Sequence, residues 1–276
     1  MSTRTADPMS DIARLVLRQR GINFQRYKPR CLMRRLQVRM RAVGAADLES
    51  YARHLESTPA EMERLFDALS INFSYFNRDP DLFKLLGERV LPELARAFPD
   101  GALRLWSAGC AAGEELYSLG ILTESVLGPG DRKRVQLLGT DIDERALEEA
   151  RRGIYPRTRL GFLDKSLIGQ YFHPDAGSGG LCVSDALRRR TEFRKADLLG
   201  RAPHRQIALI CCRNVLIYFE PGHQEKVLEG LAEAMLPGGI LALGRVERLA
   251  GGSRRWFDTL DAARRVYVRR GAGGAY

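Results

Sequence analysis

The stretch RLWSAGCAAGEELYS, residues 104–118, decides the fold. The run ending at Ala108 reads as a strand, GCAAG as a tight loop, and EELYS as the first turn of a helix that continues through LGILTESVL. Gly109 and Gly113 let the backbone turn sharply and approach a ligand at the carboxyl end of the strand, where open α/β sheets bind. The spacing is not GxGxxG, which weakens a dinucleotide reading. Glycine is common in any strand-to-helix turn, so Glu114 and Glu115 carry more information than the loop. Carboxylates at a helix start complement the helix dipole, which is reason enough for their presence. They would also repel a pyrophosphate and accept a cationic group.

Working outward, the chain keeps alternating. RVQLLGTDID reads as a second strand and ERALEEARRG as a helix; QIALICCRNVLIYF as a strand and turn and GHQEKVLEGLAEAML as a helix; GGILALG and RRVYVRR as two more strands. Alternation of this kind predicts an α/β fold, with parallel strands covered by helices on both faces. An interruption at about 165–197, with GLCVS and TEFRKA as short strands, predicts a small antiparallel insert. The second strand ends at Asp141, where an acid commonly accepts from ribose hydroxyls, while Asp143 is placed to cap the next helix. Asp197 and Leu198 are placed to meet an adenine ring. Arg213 and Asn214 follow a buried strand and face the crevice, although an arginine there can equally bind loop carbonyls. A ligand with a ribose, an amino group and no phosphate fits these strand ends: S-adenosylmethionine (SAM).

Before residue 80 the pattern is helical. Ile12, Leu15 and Val16 mark one helix that stops at Gly21; Leu32, Met33, Leu36 and Met40 mark another that ends at Gly44. Between Arg26 and Arg41 lie seven basic residues and no acid. Such a run is often a solvated outer face; the missing acid favours a binding surface. The connector INFSYFNRDP (71–80) mixes aromatic and polar residues and closes on Asp79-Pro80, an expected helix N-cap and first position. The expected organisation is therefore a helical domain over 1–70, a linker over 71–80, and a catalytic domain over 81–276. The chain has 276 residues and a formal charge of +10, which permits nucleic acid, an anionic membrane face or an acidic protein as partner. Five cysteines without CxxC spacing argue for a reducing cytosol and against a disulfide framework or a metal site. No apolar run reaches the roughly 18 residues of a membrane span, and the first residues lack a signal-peptide pattern.

INFSYFNRDP, RLWSAGCAAGEELYS, GTDID, GIY (153–155), ICCRNVLIYF and GGILALG-x-x-E, in this order after a basic helical N-terminus, closely resemble the CheR-type chemoreceptor methyltransferases. The resemblance covers nearly the whole chain. It implies a SAM-dependent methyltransferase fold, a Rossmann-like doubly wound sheet with a small β-subdomain, preceded by an all-α domain. It also implies methyl transfer to glutamate side chains of chemoreceptors, leaving S-adenosyl-L-homocysteine. Asn72, Ser74 and Arg78 match cofactor-lining positions, and Arg78 the arginine near the transferred methyl. Gly109 belongs to the matching loop; Glu115 matches the acid for the methionine amino group, Asp141 the ribose acid, Asp197 and Leu198 the adenosine contacts. Arg213, Asn214 and Tyr218 match groups near the sulfonium and the incoming glutamate, with Arg78, Arg213 and Tyr218 as the catalytic set. Arg30, Arg34, Arg35, Arg39 and Arg41 match the helix that meets the receptor's helical bundle. The insert matches a subdomain that in some members docks a receptor's C-terminal tethering peptide. The expected state is a cytoplasmic monomer at receptor arrays, with neither membrane insertion nor nucleic acid.

The chain departs from the pattern at Ser74 for Thr, Asn77 for Phe, Ala111-Ala112 for Ser-Thr, Leu116 for Pro, and Arg245-Val246 for His-Ser. Two other readings share the fold. A non-catalytic SAM or S-adenosylhomocysteine sensor is motivated by the changes at Ala112 and Arg245. A nucleic-acid methyltransferase is permitted by the charge, but the sequence has neither an amino-methylation Pro-Pro motif nor a Pro-Cys nucleophile pair. Glutamate is ionised at neutral pH, with a reference pKa of about 4.3, so the reaction needs no general base. The four histidines (54, 173, 204 and 223) accordingly lie outside the motifs.

Overall fold

The computed structural model describes residues 8–20, 23, 26–69 and 74–271. The chain divides into two compact units, one of Met1–Asn72 with Tyr218–His223, the other of Phe73–Ile217 with Gln224–Tyr276.

The first unit is built on helices α1 (Pro8–Arg20), α2 (Pro29–Val43), α3 (Leu48–Ser57) and α4 (Pro59–Leu69). Pro29 opens α2 and Gly44, at φ 71°, closes it. Asp47 and Ser50 form a reciprocal capping box at α3. Ile12, Leu15, Val16, Leu36, Tyr51, Leu55, Met62 and Leu65 make the core. Of the α2 stripe, Leu36 alone is fully buried, while Leu32, Met33 and Met40 are half-buried. The unit is completed by a remote segment. Tyr27 bridges Phe219 in antiparallel fashion, Lys28 N–H donates to Tyr218 O at 2.8 Å, and the Tyr27 and Phe219 rings lie 5.0 Å apart. The expected boundary kept this segment wholly in the catalytic domain.

The second unit begins with α5 (Pro80–Leu85), a π turn (Leu86–Val90) and α6 (Leu91–Ala97), which pack Leu82, Phe83, Leu86, Leu91 and Leu94 into its core. Next come β1 (Leu103–Ala108), α7 (Glu114–Val126), α8 (Pro129–Arg134), β2 (Val135–Asp141) and α9 (Glu144–Arg152). β3 (Ile154–Tyr155), α10 (Lys165–Tyr171), β4 (Phe172–Pro174), β5 (Leu181–Val183) and α11 (Asp185–Arg188) follow. The unit ends with β6 (Thr191–Lys195), β7 (Ile207–Cys212), α12 (Pro221–Ala234), β8 (Met235–Leu243), β9 (Phe257–Asp261) and β10 (Val266–Arg269). Seven strands form one sheet in the order β6-β2-β1-β7-β8-β10-β9. The first five are parallel; β10 runs antiparallel to both neighbours.

Two expectations need correction. TEFRK is not part of the insert: Thr191–Lys195 pairs in parallel with β2 as the edge of the large sheet. The small antiparallel sheet is β3-β5-β4, so it begins at Ile154, well before residue 165. An edge strand reads like an insert strand because both are short and only half apolar. The second correction concerns Asp79. It occupies the N-cap position but at φ 65°, and its side chain makes no capping bond to α5.

Candidate active site

Strand order reverses at β1, which sends the chain to β2 and β6 on one side and has β7 and β8 on the other. The carboxyl ends at such a reversal leave a crevice. Gly109, at φ 80°, lies there so close to Val215 that a Cβ would sit 2.4 Å from its Cγ2. Any side chain there would collide with Val215, so glycine lets the turn after β1 pack against the loop after β7. Gly109 and Cys110 donate their N–H groups to Thr140 O, at 2.8 and 2.9 Å.

Asp141 is fixed from two sides. Ala111, at φ 47°, donates its N–H to Oδ2 at 2.8 Å, and Asp143 donates its own to Oδ1 at 3.0 Å. Burial pushes the Asp141 carboxyl up, against the pull of the Asp143 and Ala111 N–H groups. Asp143 accepts from Arg145 N–H at 3.0 Å and so caps α9, the separate task foreseen for it. Ala196 N–H donates to Asp141 O at 2.9 Å, which brings the turn after β6 beside this acid. In that turn Asp197 accepts from Leu199 N–H at 2.9 Å and Leu198 is half-buried.

Glu115 is held by two donors, Ser107 Oγ at 2.7 Å on Oε1 and Arg213 Nη1 at 2.9 Å on Oε2. The Arg213 side chain is only 3% exposed. Its Nη2 donates to Arg78 O at 3.0 Å and to the Asp79 carboxylate, and its guanidinium lies 6.0 Å from the Phe83 ring centre. Burial works against this charge, but Glu115 and Asp79 outweigh it and raise the pKa. Of the two sequence readings of Arg213, the carbonyl-binding one is realised, joined by two carboxylates. Arg213 ties Glu115 to the connector, and that is where the Asp79 carboxylate goes instead of capping.

The connector is ordered by its own residues. Phe76 is fully buried, edge-on to Tyr155 at 4.9 Å and Phe172 at 5.2 Å, and its N–H donates to Arg159 O. Asn77 adopts φ 53°, a left-handed conformation that asparagine tolerates and phenylalanine does not. Its N–H donates to Ser118 Oγ at 2.9 Å and its Nδ2 to Phe162 O at 3.1 Å. Ser74 and Arg78 are half-buried. Asn72 lies outside the described residues.

Two carboxylates in these motifs had no assigned role. Glu247 is buried and accepts four backbone N–H groups: Gly244 at 2.7 Å, Asn214 and Val215 at 2.8 Å, and Ile217 at 3.3 Å. It thereby fixes the loop after β7, including Asn214 at φ 61°. Burial raises its pKa despite those bonds. The sequence signal was an acid three residues beyond a strand-end glycine. Glu114 pairs with Arg159 rather than with a ligand, and it too is raised by burial. Tyr218 falls in the helical unit, where its carbonyl accepts from Lys28 N–H.

On α2, Arg30, Arg34 and Arg41 are exposed and Arg35 is half-buried, and none makes a side-chain hydrogen bond or ion pair among the described residues. Arg39 is a correction. Its Nε and Nη2 donate to buried Glu61 at 2.9 and 2.7 Å, and Tyr51 OH donates to the same carboxylate at 2.9 Å. The fold supplies from α4 the acid that the local sequence lacks.

No group of metal-ligating side chains occurs among the described residues. Residues 72–266 match a family described as CheR methyltransferase, SAM binding domain, and residues 8–70 its all-alpha domain. Chemotaxis protein methyltransferase 2 of Pseudomonas aeruginosa is 31% identical, over 90% of this chain and 89% of that one. The chemotaxis protein methyltransferase of Klebsiella aerogenes is 33% identical, over 91% and 88%. An uncharacterized 104.1 kDa protein of Rhodobacter capsulatus is 31% identical over 98% of this chain, which spans 28% of that longer protein. Among solved structures, PKMT2 of Rickettsia typhi in complex with AdoHcy overlays loosely, with a TM-score of 0.37 and 18% identity over 62% of this chain and 25% of that one. A tight glycine turn after β1, with Glu115 in the first turn of α7 and Asp141 at the end of β2, suits SAM on chemical grounds, and the family matched over residues 72–266 is described as SAM binding: the chain belongs to the CheR methyltransferase family.

Proposed function

We propose that this protein methylates glutamate carboxylates on the cytoplasmic helical bundle of chemoreceptors, giving glutamyl methyl esters in sensory adaptation. The observation that carries the reading is the pairing of Glu115, in the first turn of α7 and held by Ser107 and Arg213, with Asp141, at the end of β2 and held by the 111 and 143 amides. Relatives named as chemotaxis protein methyltransferases support the substrate class.

When bound, SAM supplies an electrophilic methyl group on a sulfonium. Glu115 takes the amino group of the cofactor, Asp141 the ribose hydroxyls, Gly109 the close backbone approach, and Asp197 and Leu198 the adenine. Ser74 and Asn214 line the same crevice. The incoming glutamate is already a carboxylate, so no side chain has to remove a proton. The protein's contribution is orientation and exclusion of water, because opposite charges neutralise in the transition state. Arg78 orients the substrate carboxylate. Tyr218 helps to position the donor. Arg213 serves through Glu115 and the 78–79 backbone, as a positioning residue. An arginine that gripped the carboxylate too tightly would stabilise the ground state, so Arg78 acts by placement.

Arg30, Arg34, Arg35 and Arg41 form the receptor-facing side of the helical domain. A receptor's C-terminal tethering peptide would add to an edge of the β3-β5-β4 sheet by main-chain pairing. The protein acts as a monomer recruited to arrays on the inner face of the membrane; no helix among the described residues is long and apolar enough to cross one.

Incubation with labelled SAM and membranes carrying the receptors tests the reading. Base-labile label on receptor glutamates is the expected result. Tight S-adenosylhomocysteine binding without any transfer would replace it with a sensor, and label on RNA or DNA with a nucleic-acid methyltransferase. In the same assay Arg78→Ala lowers turnover far more than SAM affinity.

A further inference from the structure

We infer that residues 244–248 form a docking lip for the protein substrate, in which Arg245 and Arg248 hold acidic side chains flanking the target glutamate and Val246 meets an apolar one. The inference rests on the methyltransferase reading above and assigns a specificity element to it. Three observations carry it.

The lip is rigid where it needs to be. Glu247 is 4% exposed and binds the N–H groups of Gly244, Asn214, Val215 and Ile217, so the loop after β8 and the loop after β7 share one anchor. A Cβ on Gly244 would lie 2.9 Å from Asn214 N, which shows how closely the two loops approach. Arg265 Nε also donates to Arg245 O at 3.3 Å.

The side chains on either side of the anchor have nothing to do within the protein. Val246 is 73% exposed, more than any other large hydrophobic among the described residues. Arg245 and Arg248 are exposed and make no side-chain hydrogen bond or ion pair among those residues. Their neighbour Arg264, by contrast, donates to the Asp261 carboxylate and to Asp81 O. Two unpaired guanidinium groups around an exposed valine stand on a backbone already held still, so only side-chain freedom is left to lose on meeting a partner.

The lip is at the right end of the sheet. Leu243, the last residue of β8, pairs in parallel with Cys212, the last of β7, so 245–248 emerge at the same carboxyl ends as Glu115 and Asp141. The one acid within the loop, Glu247, is buried, so the face offered outward is cationic and apolar. Its complement is an acidic segment of an amphipathic protein surface.

Methylation rates over a range of receptor concentrations test this, comparing wild type with R245E, R248E, the double variant and V246S. The double reversal is expected to raise the receptor KM about tenfold and to flatten its salt dependence. V246S should raise KM without changing that dependence. S-adenosylhomocysteine affinity, measured by calorimetry, and kcat at saturating receptor should stay within about twofold of wild type, since the lip acts before the chemistry. An unchanged KM in the double variant overturns the lip while leaving the methyltransferase reading intact. A matched loss of S-adenosylhomocysteine affinity also overturns it, because the loop would then be acting through the cofactor site. A wild-type protein that methylates no receptor removes the reading and the lip with it.

Discussion

At the scale of single residues, the site is built from acids whose charge is managed by different means. Glu115 has a guanidinium and a hydroxyl, whereas Asp141 has only backbone N–H donors and sits where burial raises its pKa. The difference has a consequence for pH. A ribose-binding carboxylate is a strong acceptor only when ionised. With the pKa raised above its ordinary value of 3.8, the ionised form begins to be lost at a higher pH than usual as acid is added. S-adenosylhomocysteine affinity should therefore fall on acidification before ordinary carboxylates titrate. Asp141→Asn should bind more weakly at pH 7, by about tenfold for the loss of one charge-assisted hydrogen bond, and should lack that acid limb. Calorimetric titration at several pH values checks both, and an identical acid limb in the variant would move its origin to Glu114 or Glu247, whose pKa values are also raised. Asn77 shows the reverse case, an unusual residue explained by its backbone: φ 53° selects asparagine, and the side chain then secures Phe162 O.

At the scale of elements, two loops and a connector are held by buried polar anchors rather than by regular pairing. Glu247 satisfies four amides that the strand-end loops would otherwise bury without partners. Glu247→Ala is expected to cost about 2–4 kcal/mol, since hydrogen bonds to a charged acceptor contribute about 1.5–3 kcal/mol each and part of the loss is recovered by water. Glu247→Gln can retain at most two of those contacts, since only its amide oxygen accepts, and should fall between. Denaturant unfolding checks the order, and equal stability of wild type and the alanine variant would sink the anchor. Such anchors were partly legible. The strands and helices from 103 to 152 follow hydrophobic period and turn chemistry, so they are where the sequence puts them. Asp141 was legible as a candidate from its place at a strand end, and Glu115 from its place in the first turn of the next helix. The role of Glu247 could not, because its partners are amides on another loop. The edge strand Thr191–Lys195 was misplaced for a similar reason: its parallel partner, β2, lies some fifty residues earlier, and nothing local records the pairing.

At the scale of the whole molecule, the same separation between local pattern and remote partner governs the helical unit. Its last piece, Tyr218–His223, arrives from far along the chain, and the acid that neutralises Arg39 comes from another helix. A formal charge of +10 therefore does not spread evenly over function. The five α2 arginines divide into one structural group and four without a partner among the described residues. Arg30→Glu with Arg34→Glu should raise the receptor KM at low ionic strength by about tenfold and leave unfolding free energy within about 0.5 kcal/mol of wild type, as exposed charges do. The defect should shrink as salt rises, because at 0.15 M the screening length is already about 8 Å. Arg39→Ala should behave in the opposite way. It leaves Glu61 buried with Tyr51 as its remaining hydrogen-bond donor, so stability should drop by about 2–4 kcal/mol. Any rise in KM should then track the loss of folded protein and be insensitive to salt. Unfolding curves and methylation kinetics on the two variants, run at two salt concentrations, separate the groups. If Arg39→Ala instead lowered receptor affinity at full stability, the Arg39–Glu61 pair would be part of the docking face and the division of the helix into structural and free arginines would be wrong.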